Sequence, residues 1–283
     1  MEIKRCSEWI DPGFVAQDSI DGNLAASTTI SSDLDVNEVG CYTVTYTARN
    51  VVGDTAEVSR TVYVRYNKED YEAFEAKGKV VYLTFDDGPS ENTEKLLGIL
   101  DKYNVKVTFF VKNSDQLDLV KKEAANGHTV AIHTYTHSYS KVYRSEEAYY
   151  DDLYKMREAV YEKIGLRSNL IRFPGGSSNT VSRSYNSGIM TRLAKSVQEK
   201  GFCYFDWNVS TTDGNASTRT SDVVRDHAIA GMKSKNIAVV LMHDTHSHTV
   251  NAVEEIINFG LENGYTFLPL SEYSFQPHHG ISN

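Results

Sequence analysis

Val80-Val81-Tyr82-Leu83-Thr84-Phe85-Asp86-Asp87-Gly88-Pro89-Ser90 is the stretch on which the fold turns. Its opening, Val80–Phe85, is an apolar run of strand length, as a strand buried on both faces requires. Two carboxylates and a Gly-Pro turn signal follow at once. Downstream, short apolar runs recur at Val105–Val111, His128–Ile132, Leu170–Phe173, Cys203–Trp207, Ile237–Met242 and Tyr265–Leu268. Amphipathic helical patterns at 91–103, 115–126, 145–164, 185–200, 220–234 and 249–263 separate them. Strands alternating with helices mean parallel βα units. About 205 residues of this pattern suit a barrel-like α/β domain. No Gly-x-Gly-x-x-Gly follows the first strand, which argues against a dinucleotide fold.

Parallel α/β domains build their sites at the C-terminal ends of the strands. The first strand is followed by Asp86-Asp87-Gly88, the third by His133-Thr134-Tyr135-Thr136-His137, and the fourth runs into Arg172-Phe173-Pro174-Gly175-Gly176. Asn208 to Asp213 lies past the fifth, and His243-Asp244 ends the sixth. His133 and His137, four residues apart, project to one side if the backbone turns helical. With one carboxylate they make a three-ligand site that keeps a position open for water and substrate. Taken alone, a His-x-x-x-His pair reads better as a solvated helix face; the acid pair on the same rim tips the balance to metal. Adjacent carboxylates repel unless each finds a cation. A metal on one and Arg172 on the other would relieve this, whereas a simple capping turn before Ser90 and Glu91 leaves two acids after an apolar strand unexplained.

Composition excludes several classes. The 283 residues are 40% hydrophobic and 24% charged, an ordinary globular balance. With 29 basic and 38 acidic residues the net charge is −9, unsuited to neutralising nucleic-acid phosphates. No apolar run approaches the roughly 18 residues of a membrane span. Three cysteines are too few for a disulfide framework. Met1 is followed directly by Glu2 and Ile3, without a basic segment or apolar core of a signal peptide. Either the protein is cytoplasmic or an upstream signal has been removed.

Residues 1–66 belong to a different regime. Gly40–Ala48 and Thr55–Val64 alternate polar with β-branched or aromatic residues around a turn-rich segment, a β-hairpin with one face buried. Asp11-Pro12-Gly13 and Asp21-Gly22-Asn23 mark turns between shorter strands. The whole reads as a small all-β sandwich serving as a spacer. A Cys6–Cys41 disulfide and two free thiols are equally open, and Cys203 is expected to pack in a buried strand. Residues 67–78, mostly charged and ending in Gly, read as a linker with one short helix.

Asp11-Pro12-Gly13, Asp21-Gly22-Asn23-Leu24 and Val39–Tyr46 resemble the immunoglobulin-like modules of bacterial surface proteins, which places the chain outside the cell or on its surface, in association with the wall. Thr84–Pro89, His133–His137 and Leu241–Asp244 are similar, in order and position, to the first, second and fifth motifs of the polysaccharide deacetylases, the NodB-homology group of carbohydrate esterases. The resemblance implies a distorted (β/α)7-8 barrel over 79–283, preceded by the immunoglobulin-like sandwich at 1–66. It implies metal-dependent removal of acetyl groups from N-acetylglucosamine polymers, peptidoglycan first, with chitin oligosaccharides or acetyl xylan as alternatives and a catalytically silent glycan-binding protein as the remaining one.

Carried over by the same resemblance, Asp87, His133 and His137 would bind a divalent ion, zinc first and cobalt second. Asp86 would be the general base and His243 the general acid. Arg172 would hold Asp86, and Asp213 would orient His243. Leu241 would line the acetyl pocket, the Gly175 N–H would meet the oxyanion, and Tyr139 would flank the sugar groove, with Tyr143 near it. Gly175 and Gly214 stand where the family usually carries aromatic residues, so the groove is expected to be more open there, with Trp207 a possible substitute. His246 and His248 read as a solvated loop.

Overall fold

In the computed structural model, residues 1–215 and 220–282 are described. The chain divides into two compact units, Met1–Asn67 and Lys68–Asn283.

The first unit contains β1 (Glu2–Lys4), β2 (Gln17–Asp18), β3 (Gly22–Asn23), β4 (Thr29–Ser32), β5 (Gly40–Arg49) and β6 (Thr55–Arg65). One sheet has the order β1-β6-β5-β4, and β2 pairs β3 separately. The β5–β6 hairpin keeps antiparallel register from Gly40↔Val64 to Arg49↔Thr55. The Asn50 N–H donates to the Asp54 carbonyl (3.0 Å) and the Asp54 N–H to Asn50 Oδ1 (2.8 Å), closing the turn between the two strands. Period-2 alternation turns Val44 and Tyr46 inward to meet Val62, and Ile3, Trp9, Phe14 and Leu34 pack on them. Asp11 ties this core to its rim, accepting from the Tyr46 hydroxyl (2.7 Å) and Arg60 Nη1 (2.8 Å). Cys6 and Cys41 are free thiols, the first exposed and the second half-buried.

The second unit runs α1 (Lys68–Lys77), β7 (Val80–Asp86), α2 (Thr93–Lys102), β8 (Thr108–Val111), α3 (Val120–Ala125), β9 (Thr129–Ile132), α4 (Tyr139–Val142), α5 (Glu146–Ile164), β10 (Leu170–Ile171), α6 (Ile189–Glu199), β11 (Cys203–Tyr204), β12 (Val209–Ser210), α7 (Ser221–Lys233), β13 (Ile237–His243), α8 (Ser247–Glu262) and β14 (Thr266–Phe267). The parallel sheet has the order β11-β10-β9-β8-β7-β13-β12, with β14 added on β7. Every residue of β7 is buried, as a central parallel strand demands. Among the described residues β11 and β12 do not pair, so the sheet is a half-barrel. Apolar stripes at helical spacing, such as Leu96, Leu97 and Leu100 on α2, or Val250, Val253, Ile256 and Ile257 on α8, cover it. Helix α5 starts at a Ser145 cap, whose Oγ accepts from the Ala148 N–H (3.0 Å), and stops at left-handed Gly165.

Several elements differ from the sequence reading, each for a physical reason. The charged segment 67–78, expected as a linker with one short helix, does form a helix over Lys68–Lys77, but that helix packs into the second unit. Tyr71 is buried and donates to the Pro269 carbonyl (2.7 Å), and Glu75 accepts from the Tyr82 hydroxyl (2.6 Å). The pattern at 115–126 breaks into a 3-10 turn, Leu117–Leu119, and the short α3. The run Cys203–Trp207 is sheet only at Cys203–Tyr204, where it pairs β10, and Cys203 is half-buried rather than buried. Strand β12, too short to leave a periodic trace, pairs β13 at Val209↔Val240 and Ser210↔Leu241.

Candidate active site

Asp86 ends β7 and His243 ends β13, and parallel register sets them directly opposite each other. One step further, Asp87 leaves the sheet at φ 73°. The loop after β9 then folds back on it. His133 and His137 do not lie on a helix turn, as the sequence spacing suggested. Thr134 and His137 take left-handed φ values of 65° and 51°, and this loop brings the two imidazoles to 4.7 Å between ring centres. Asp152, on α5, fastens the loop by accepting from the Tyr135 N–H (2.6 Å), the Thr136 N–H (2.9 Å) and Thr136 Oγ1 (2.8 Å).

One donor atom each from Asp87, His133 and His137 lies within 4.8 Å of the others. His133 Nδ1 lies 2.8 Å from the Arg172 carbonyl, which fixes the ring and leaves Nε2 pointing inward. Buried Asp87 Oδ1 has no hydrogen-bond partner, and burial drives the His137 pKa down to about 4, so this imidazole is neutral at pH 7. Two inward-turned imidazoles beside an unsatisfied carboxylate oxygen fit a divalent cation: the donor atoms converge, and an open side remains.

On the far side of Asp86 stands Arg172, fully buried. Its Nη1 donates to Asp86 Oδ1 (2.7 Å) and to Thr84 Oγ1 (2.8 Å). Nε and Nη2 donate to the Phe205 (2.9 Å) and Asp206 (3.0 Å) carbonyls, and the guanidinium packs over the Phe110 ring. Four partners compensate a cation that burial would otherwise penalise severely.

Opposite lies a second pair. Asp213 Oδ2 accepts from the His243 N–H (2.7 Å) and Thr249 Oγ1 (2.8 Å), while Oδ1 faces His243 Nδ1 at 3.0 Å. Burial lowers the His243 pKa, but the hydrogen bond and charge of Asp213, with Asp86 and Asp87 behind, overcome it and raise the value to about 9. Burial likewise opposes ionisation of Asp213, and the hydrogen bond to His243 outweighs it, holding the carboxyl below the usual range. His248, expected in a solvated loop, lies in α8, and its Nε2 is 3.2 Å from the Asp213 carbonyl. His246 stacks on it, with rings 5.2 Å apart.

The loop after β10 contradicts one expectation. Gly175 does not open the groove, because a Cβ built there would lie 2.3 Å from the Tyr139 hydroxyl. Tyr139 fills the space, with its ring edge-on to His137. Trp207 takes the equivalent place at Gly176, where a Cβ would meet its ring at 3.0 Å. Both glycines have φ near 77°, a region costly for any other residue. Tyr143, buried, donates to the Pro174 carbonyl (2.8 Å). Leu241 lies on β13 two residues before His243 and is barely exposed. Gly214 leaves its neighbourhood open, the nearest atom to a built Cβ being on the His243 ring at 3.7 Å.

Three groups that matter here were given no role in the sequence reading. Asp206, fully buried, accepts from the Ser177 N–H (2.8 Å), from Ser177 Oγ, and from the His279 N–H (2.8 Å), so it clamps the glycine loop to the C-terminal segment. His279 Nε2 also reaches the Trp207 carbonyl (2.6 Å). The only trace in sequence is one acid inside an apolar run. Asp244, with a pKa pushed by burial up to about 7, bonds Thr93 Oγ1 and leaves no room for a side chain at Gly88, where a Cβ would meet its oxygens at 2.3 Å. Glu123 is fully buried, and neither carboxyl oxygen has a partner.

The polysaccharide deacetylase family profile matches residues 74–190, and that of the bacterial surface protein Ig-like domain matches residues 1–64. A peptidoglycan-N-acetylglucosamine deacetylase of Bacillus cereus is 32% identical over 227 residues, 78% of this chain and 77% of that one. The deacetylase PgdA of Listeria monocytogenes is 29% identical, and the match covers 77% of this chain but 44% of that longer one. The solved catalytic domain of a peptidoglycan N-acetylglucosamine deacetylase from Eubacterium rectale superposes with a TM-score of 0.72 at 49% identity, covering 73% of this chain and 94% of that one. With a half-barrel whose strand ends gather two carboxylate-anchored partners around an Asp-His-His cluster, the chain belongs to the polysaccharide deacetylase family.

Proposed function

We propose that the second unit hydrolyses the N-acetyl group of N-acetylglucosamine in peptidoglycan, releasing acetate and leaving the free amine. The observation that carries this is the register His243↔Asp86, which faces a carboxylate with a protonated imidazole across the candidate metal cluster. Asp87, His133 and His137 hold the divalent ion, zinc before cobalt, since two imidazoles and a carboxylate suit both. When bound, the ion supplies Lewis acidity, acidifying a water and polarising the acetyl carbonyl.

Asp86 takes a proton from the attacking water. Arg172 occupies Oδ1 of Asp86 and so directs Oδ2, 3.7 Å from His133 Nε2, toward the cluster. As oxygen adds to the carbonyl carbon, the Gly175 N–H donates to the growing oxyanion, a contribution of about 10²–10³-fold at sites of this kind. His243 then gives its proton to the amide nitrogen as the C–N bond breaks, because an amide anion is too poor a leaving group. Asp213 keeps that imidazole protonated and oriented. Leu241 lines the acetyl methyl pocket, and Tyr139 flanks the sugar. Residues 1–66 act as a spacer at the cell surface or wall, with 79–283 as the catalytic domain.

The test is acetate release from peptidoglycan, chitin oligosaccharides and acetyl xylan by protein stripped with chelator and reloaded with Zn²⁺ or Co²⁺. Metal-dependent release from peptidoglycan, abolished in folded Asp86→Asn, is the expected result. Full activity of Asp86→Asn would refute the assignment of the base.

A further inference from the structure

Beside the His133–His137 loop lies a cleft of about 300 Å³ lined by Lys141, Arg144, Ala148, Asp151, Asp152 and Lys155. Its position follows from the topology. In a βα unit the helix after a strand begins at the strand's C-terminal end, so the first turns of α5 stand on the rim that carries the site. The link is direct. Asp152 holds the backbone of Tyr135 and Thr136, and Lys155 Nζ lies 3.9 Å from the centre of the Tyr135 ring.

Lys141, Arg144 and Lys155 are all exposed, and none makes an ion pair among the described residues, whereas Arg157, Arg167, Arg192 and Arg225 are all occupied by side-chain or carbonyl oxygens. Of the two facing acids, Asp152 has both oxygens turned to the loop, and Asp151 and Asp152 together leave the three cations in excess by one charge. In a protein of net charge −9, a concavity beside the site that sets three cations against two carboxylates keeps a net positive charge, which concentrates anions there.

Given the peptidoglycan reading on which this rests, we propose that the cleft binds a carboxylate of the peptide stem next to the acetylated sugar. Stem peptides carry carboxylates and chitin oligosaccharides carry none, so the cleft would select between substrates that present the same acetyl group. Arg144 offers a planar fork for a carboxylate, and Lys141 and Lys155 act as point charges. None of the three belongs to the proposed catalytic or metal-binding set.

The experiment compares wild type with Lys141→Glu/Arg144→Glu, both metal-loaded, on peptidoglycan and on neutral N-acetylglucosamine oligomers, across a salt series. The neutral pair Lys141→Gln/Arg144→Gln serves as a milder variant should charge reversal impair folding. The expected result is a fall of about tenfold in kcat/KM on peptidoglycan, carried by KM and largest at low salt, with oligomer turnover unchanged. An equal fall on both substrates, or no fall on peptidoglycan, would overturn the cleft proposal. Wild-type release from oligomers with none from peptidoglycan would overturn the substrate reading beneath it, and the cleft proposal with it.

Discussion

Asp213→Asn separates the acid's proton from everything else in the site. In wild type Asp213 Oδ2 accepts two donors, the His243 N–H and Thr249 Oγ1, while Oδ1 faces His243 Nδ1. Asparagine keeps the first two bonds if its carbonyl oxygen takes the Oδ2 position. Its amide then points an N–H at His243 Nδ1, which must turn acceptor and lose its proton. The elevation of His243 from 6.5 to about 9 corresponds to about 3 kcal/mol favouring the imidazolium. Asp213 supplies the leading part of the upward pull, and Asp86 and Asp87 the rest, which a bound divalent cation offsets. Removing one unit charge at hydrogen-bond distance should therefore move the alkaline limb of kcat/KM down by about 1–2 pH units. At pH 8 this becomes a loss of about two- to tenfold beyond any loss seen at pH 6. The sign for stability is the same: a raised pKa stabilises the fold fully below 6.5, and the contribution fades as pH rises through about 9. The assay is acetate release from pH 5 to 10 at fixed metal occupancy. A uniform loss at every pH, with the alkaline limb unmoved, would refute the account of Asp213 as the source of His243's charge.

Further outcomes follow from the same geometry. Gly175→Ala should cut kcat at least tenfold, since φ 77° disfavours a side chain and the new Cβ meets the Tyr139 hydroxyl at 2.3 Å; adding Tyr139→Phe should restore part of it, and steady-state kinetics of the two variants check this. Burial raises the Glu123 pKa well above its ordinary value, so its ionisation opposes folding as pH climbs. Glu123→Gln should match wild type in urea midpoint near pH 4 and exceed it increasingly toward pH 8, by up to about 1.4 kcal/mol per pH unit between the unfolded-state pKa and the raised native one. Asp206→Asn loses acceptor capacity for three donors, two of them buried, and should cost about 1–3 kcal/mol in urea unfolding, with the affinity for Zn²⁺ by calorimetry unchanged.

The alternation of apolar runs with helical patterns from Val80 onward was enough to specify a parallel α/β domain, because strand and helix periods are local properties of the chain. The polar residues following each strand could be assigned to one rim for the same reason: chain direction alone decides which end of a parallel sheet a βα loop occupies. What sequence spacing misjudged was loop conformation. His133 and His137 meet through two left-handed residues rather than a helix turn, and nothing in a four-residue spacing distinguishes these. Gly175 looked like an opening, yet Tyr139, 36 positions earlier in the chain, fills it. The clamp at Asp206 and the unpaired cations beside Tyr135 were equally invisible. Each depends on which distant segments pack together, and packing is a property of the folded chain in three dimensions, while sequence periodicity reports only on neighbours along it.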